Sequence, residues 1–272
     1  FLLTSTQKQF ILYIKEFYYF SIIIMKGFIV VMSFVKLDIH THTIASGHAS
    51  TATITDMAKA AAANNLTLLG ISDHGPATLG GGRTSYFRNL TYAPKNRLGI
   101  DMLYGAEVNI LNNQGKLDLE DSILKGLDFV IASVHKPVKK PGSIDENTTA
   151  YIEAMKNPYV CVIGHCDDER YPVDYLALVR SAIEHHVLLE INSSSLRPDG
   201  YRGDTRFNDL MILNLCKHFH YPVLLSSDSH GTKHVGDCVH AQELAKLAQI
   251  PDHLILNYSP GKLRSFLAEK YH

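Results

Sequence analysis

Short apolar runs alternate along this chain with longer segments whose apolar residues recur every three or four positions. Residues 35–43, 66–71, 102–110, 128–132, 160–163, 187–191 and 223–226 are short and rich in Val, Ile and Leu, which predicts seven strands. The intervening helical period predicts helices at 53–63, 148–156, 172–186, 207–218 and 239–248, with a closing helix at 260–269. Thr53 and Asp56 form a capping pair for the first helix, and Asn64 with Asn65 ends it. Strand, helix, strand in repetition implies right-handed crossovers and a parallel sheet. The fold class expected is therefore α/β, with the strands closing into a barrel that has one open mouth.

The strand ends are chemically unusual. The first run finishes in DIHTHT, placing His40 and His42 one residue apart, and alternation along a strand would put them on one face with Asp38. Later runs end in SDH at His74, GAE at Glu107, ASVH at His135, VIGH at His165 and SSDSH at Asp228 and His230. His48 follows the first strand in a segment of small and polar residues. A single histidine at a strand end is most often a satisfied structural side chain. Nine imidazole and carboxylate groups gathered at one end of successive strands describe a metal site, and imidazole with carboxylate suits zinc, iron or manganese.

Composition narrows the function. At 272 residues with 46% hydrophobic and 19% charged, the chain can bury a full core as one α/β domain. A net charge of -1 and no long basic run leave no electrostatic footprint for nucleic acid or a membrane surface. The four cysteines form no CxxC pair, which suits a reducing compartment; Cys161 and Cys216 read as core residues, while Cys166 follows a metal-ligand candidate. Fifteen histidines are present, and those at 185, 186, 218, 220, 234, 240, 253 and 272 fall on helix or loop patterns as surface or partly buried side chains.

Residues 1–32 differ in character from the rest of the chain. They begin with Phe1, carry Lys8 and Lys15, and run apolar from Phe17 to Val31 with Lys26 interrupting. The expected division is a non-native upstream extension or apolar leader over 1–32 and a single domain over 33–272, with Met32 just before the first core strand. The expected compartment is the cytoplasm, or the periplasm or a membrane anchor if 1–32 is a genuine leader. Residues 75–94 form a glycine-rich loop, read as a mobile flap over the site; it lacks the lysine and Ser/Thr of a nucleotide P-loop. Residues 112–115 read as a hairpin turn.

The motifs DIHTHT, the following SGH, SDHG, GAEVN, ASVH, VIGH and SSDSH resemble the PHP (polymerase and histidinol phosphatase) superfamily, most closely its YcdX-type phosphatases, from about Val35 to about Leu267. The resemblance implies a distorted (β/α)7 TIM-like barrel with a trinuclear metal site at the C-terminal strand ends. It assigns His40, His42, Glu107 and Asp228 to one metal, and Glu107, His135 and His165 to a second. His48, His74 and His230 fall to a third. It further implies three zinc ions, with manganese or iron as alternatives, and hydrolysis of phosphate monoesters by a metal-bridging hydroxide, with Glu107 and Asp228 as the catalytic carboxylates. Cys166 and Asp167 depart from the Pro-Gly that YcdX-like members carry after this histidine.

Arg197, Arg202 and Arg206 on the loop after the sixth strand, with Lys136, are candidates to bind the phosphate of a small phosphorylated substrate, although most arginines on such loops are simply solvated. Asp38 is either a partner for an imidazole N–H or a solvent-facing charge. Asp73, Asp167 or a metal-bound water could protonate the leaving group. Alternative functions are histidinol-phosphate phosphatase, an amidohydrolase sharing the HxH start, and a non-catalytic PHP module that binds metals or partners.

Overall fold

The computed structural model describes residues 22–25, 28–31 and 34–270. The extension or leader expected over residues 1–32 falls largely outside these residues. The chain divides into two units, Phe1–Phe34 and Val35–His272. In the first, β1 (Ile22–Met25) pairs antiparallel with β2 (Phe28–Val31). Among the described residues, no helix is long and apolar enough to cross a membrane.

The second unit contains β3 (Leu37–Asp38), β4 (Thr41–His42), β5 (Leu68–Ile71), β6 (Asn96–Arg97), β7 (Ile100–Asn109), β8 (Phe129–Ser133), β9 (Val162–Ile163), β10 (Leu188–Asn192), β11 (Val223–Ser226) and β12 (Ser229–His230). Seven of them form a nearly closed parallel sheet in the order β3, β5, β7, β8, β9, β10, β11, and β6 adds an antiparallel turn on β7. The helices are α1 (Ile54–Ala63), α2 (Thr84–Leu90), α3 (Asp121–Leu124), α4 (Ile144–Met155), α5 (Tyr175–Glu184), α6 (Arg206–His218), α7 (Val239–Leu247) and α8 (Pro260–Lys270).

Strand alternation separates two cores. Leu37, Leu68, Leu103, Phe129, Val162, Leu188 and Leu224 pack inside the barrel, and Leu263, Phe266 and Leu267 of α8 belong to the same cluster. Their neighbours Leu69, Met102, Val130, Ile163, Leu189 and Leu225 pack outward with the surrounding helices. At Gly70 a Cβ would lie 2.7 Å from the Ile39 Cα, so this strand position needs glycine for close packing.

The seam between first and last strands is held by side chains. Fully buried Asn257 accepts from Leu225 N at 2.7 Å and donates to the carbonyls of Leu37 (3.1 Å) and Leu225 (2.7 Å). Asp38 accepts from the Ser227 hydroxyl and from Gly236 N–H, so it serves the same seam and meets neither solvent nor an imidazole N–H. The strand breaks between Asp38 and Thr41, which explains why Asp38 and His40 do not share one partner set as unbroken alternation would have it. Higher up, β4 and β12 pair in parallel, with His42 opposite His230. Asn257→Leu should lower stability by roughly 3–5 kcal/mol, because buried backbone groups lose their partners without gaining water. Urea unfolding measures this, and a loss below about 1 kcal/mol would remove Asn257 from the closure.

Two local expectations change. The predicted glycine-rich flap contains helix α2, and its first part is tied down by Gly82 N–H to His74 O and by Ala77 N–H to Asp118. Helix α4 starts before the predicted position because Ser143 and Glu146 form a reciprocal capping box. The Thr53–Asp56 box is present as expected, and all four cysteines are buried and form no disulfide.

Candidate metal centre

Inside the barrel the interior-facing residues change from apolar to polar toward the C-terminal strand ends. On β7, Leu103 lies in the inner core, Gly105 has no side chain, and Glu107 follows at the next inward position. Its carboxylate is fully buried among five imidazoles: His74 Nδ1 at 2.6 Å, His165 Nε2 at 2.8 Å, His40 and His135 Nε2 at 3.4 Å, and His42 Nε2 at 3.6 Å. Asp228 Oδ1 lies 3.3 Å from His42 Nε2 and 3.5 Å from His230 Nδ1. Both His165 and Asp228 have positive φ, +31° and +50°, a backbone conformation that non-glycine residues rarely adopt.

The Nδ1 atoms of His40, His42 and His135 are engaged in a way that leaves their inner nitrogens available, whereas Nδ1 of His165 has no partner. His40 Nδ1 is 2.5 Å from Glu190 Oε1, and His135 Nδ1 is 2.8 Å from Asn109 Oδ1. His42 Nδ1 is 2.9 Å from the Ser46 hydroxyl, which itself donates to Asp73 at 2.7 Å and so must accept from the ring. Each contact fixes an N–H at Nδ1 and turns the Nε2 lone pair toward Glu107. His40 Nε2, His42 Nε2, His74 Nδ1 and Glu107 Oε2 are buried without a hydrogen-bond partner, and His74 Nε2 faces His230 Nε2 at 3.3 Å. Buried lone pairs facing one another are unfavourable unless a cation lies between them. The donor set therefore fits metal ions. Among the described residues, three compact groups could hold one: His42, His74 and His230; His40, His42 and Glu107; and His74, Glu107 and His135.

All nine histidine and carboxylate candidates converge on this mouth. His48 is the most peripheral, being exposed, with its ring 4.9 Å from that of His74 and 5.0 Å from that of His230. Burial raises the pKa of the Glu107 carboxyl, yet His135, His74 and His40 hold it well below the ordinary value. Burial disfavours a charged His40, but Glu190, Glu107 and Asp228 carry its pKa well above the usual range. Burial, then His230 and His74, depress His42. Burial pushes Asp167 up to about 6.

Above the metal-ligand candidates lies a cavity of about 740 Å³ bordered by Lys136, Arg170 and Arg202. Buried Arg202 donates to Asp228 Oδ2 at 2.9 Å and to Ser195 at 3.1 Å, while its Nε has no partner. Arg197 turns to Asp237 at 3.3 Å and Arg206 is exposed at the start of α6; neither borders the cavity. Asp73 and Asp167 do not border it either. Asp73 accepts from Thr43 N–H, the hydroxyls of Thr43 and Ser46, and Tyr86 OH, and so organises the loop beneath His42.

Sequence reasoning missed Glu190 and Arg170. Glu190 is fully buried and meets His40, the His165 N–H (2.6 Å), Asn192 (3.0 Å) and Ser226 Oγ (2.5 Å). A charged residue inside the apolar run LLEIN was the available signal.

Residues 38–194 match the PHP domain family. A protein of Clostridium novyi named "Probable phosphatase" is 41% identical over 234 residues, covering 86% of this chain and 95% of that protein. Among solved structures, the histidinol phosphate phosphatase of Lactococcus lactis, complexed with zinc, L-histidinol and phosphate, superimposes with a TM-score of 0.57 at 20% identity, covering 80% of this chain and 95% of its own. A chain of an archaeal ribonuclease P bound to mature tRNA gives a TM-score of 0.52 at 14% identity, covering 86% and 90%. At these identities the two structures show a shared fold, and a shared fold does not fix the reaction.

Proposed function

The chain belongs to the PHP domain family, and on that premise we propose that it is a metal-dependent phosphatase hydrolysing phosphate monoesters of small molecules at a trinuclear site. The observation that carries this reading is the set of buried, unpartnered imidazole nitrogens turned toward Glu107 and Asp228. His40, His42, Glu107 and Asp228 would hold one ion, Glu107, His135 and His165 a second, and His48, His74 and His230 a third. Zinc is the first candidate, with manganese or iron as alternatives. Such ions supply Lewis acidity that lowers the pKa of water and neutralises charge on a phosphoryl group.

The protein's own groups bind and orient. Arg202 borders the cavity, and Asp228 and Ser195 hold its two terminal nitrogens in place. Lys136 and Arg170 add positive charge at the rim, which suits a phosphate dianion. In the overall reaction a water oxygen bonds to phosphorus and the ester P–O bond breaks, its electron pair leaving on the alcohol oxygen. The proton lost by water is balanced by the one that oxygen gains.

Elemental analysis of chelator-free protein should find about three divalent ions per chain, and zinc- or manganese-loaded protein should release phosphate from simple monoesters. One ion or none after reconstitution, with no ester hydrolysed, would leave the non-catalytic PHP module as the reading.

A further inference from the structure

Two large apolar side chains stand exposed at the mouth of the same cavity, where packing gives no reason for them. Leu79 is 91% exposed and Tyr201 is 64% exposed, and both border the cavity with Val134, Pro137 and Val138. Leu79 sits on a segment whose position is fixed by close backbone contact. A Cβ at Gly47 would fall 2.0 Å from Gly80 O, so the glycines bring this segment against the loop that carries His48. The Tyr201 ring lies 4.7 Å from the Arg202 guanidinium and 5.2 Å from that of Arg170, which holds it by cation–π attraction despite its exposure.

The charges at the rim are as selective as its apolar surface. The two acidic residues among the described cavity-lining side chains are both committed. Asp168 takes a two-pronged contact from Arg170 at 2.8 and 2.6 Å, and Asp228 faces Arg202 and the imidazoles. Lys136 is exposed on the same rim. An ammonium group on the substrate would meet the Lys136 cation here and no available carboxylate.

We propose that Leu79 and Tyr201 form an apolar clamp for the leaving group, and that the enzyme prefers phosphate monoesters of apolar or planar alcohols over esters of polar or amine-bearing ones. The proposal rests on the phosphatase reading and adds to it the class of alcohol. The cavity volume is within the range that encloses a drug-sized ligand, which leaves room for an aromatic ring beyond the phosphate.

The test compares three esters of primary alcohols, so that leaving-group basicity differs little: 2-phenylethyl phosphate, glycerol 3-phosphate and histidinol phosphate, each with the zinc-loaded full chain. 2-Phenylethyl phosphate should have the highest kcat/KM, roughly ten- to a hundredfold above glycerol 3-phosphate. Histidinol phosphate should fall below 2-phenylethyl phosphate despite its ring. Leu79→Ser and Tyr201→Ser should each reduce the phenylethyl-to-glycerol ratio about five- to tenfold, through KM more than kcat. Equal kcat/KM for the three esters, a preference for histidinol phosphate, or a ratio unmoved in both variants would overturn the clamp and leave the phosphatase reading standing. If no ester is hydrolysed, both fall together.

Discussion

Glu107→Gln is expected to reduce phosphomonoester turnover by on the order of a thousandfold or more, as removal of a preorganised charge-stabilising group does. It should also lower metal content by about one or two ions per chain. The amide has the same shape, so packing changes little. It removes the negative charge toward which five imidazoles converge, and its NH2 group presents hydrogens where lone pairs had been. If the site holds neighbouring cations as proposed, they would lose a negative charge that offsets their mutual repulsion. Elemental analysis and steady-state kinetics on the same preparation separate loss of metal from loss of chemistry. A variant with full metal content and full turnover would remove Glu107 from the centre of the mechanism.

Glu190→Ala is the second large expectation, and it acts through other residues. The substitution leaves the His40 ring N–H, the His165 backbone N–H, the Asn192 amide and the Ser226 hydroxyl facing a buried void. Stability should fall by about 3–5 kcal/mol, as when one partner of a buried charged pair is removed, and Tm by about 10 °C. Metal affinity should fall roughly ten- to a hundredfold, because His40 loses the contact that fixes its tautomer and ring angle. Glu190→Gln separates the two roles. Its carbonyl can still accept from one donor and so restores part of the stability, but its NH2 must face either the His40 ring N–H or the His165 N–H, both on candidate ligands, so part of the affinity loss should persist. Chelator competition and thermal unfolding read the two effects independently. Wild-type affinity in both variants would make Glu190 a packing residue only.

Much of this architecture is legible in the sequence because interior and exterior positions alternate so regularly. Residues 223–226 and 102–110 are strands close to the limits their pattern predicts, since each is a mainly apolar run with a candidate ligand within it or just beyond it. The nine candidate ligands are legible for a related reason: histidine is too rare at strand ends for the repetition to arise from packing. Glu190 escapes because its role depends on which strand lies beside which, and periodicity carries no such information. Asp38 is hard to place for a similar reason. Its partners Ser227 and Gly236 lie at the far end of the chain and meet it only when the sheet closes. The arginines are separable only in three dimensions: Arg202 reaches the cavity, whereas Arg197 is held by Asp237 and Arg206 faces solvent.

The seam also sets an order of events during synthesis. His40 and His42 are among the first of the site residues to leave the ribosome, yet β4 finds its neighbour only in β12, and Leu37 finds Asn257 later still. The emerging chain therefore carries two candidate metal-ligand imidazoles long before the pocket that restricts them exists. Joining the ends is slow, because contacts between residues far apart in sequence require a large loss of chain entropy before they form. A nascent chain stalled before Asn257 would already contain all nine candidate ligand side chains and lack the seam contacts of Asn257. The same residues that make an ordered site in the finished protein would then be loose ligands able to scavenge stray cations.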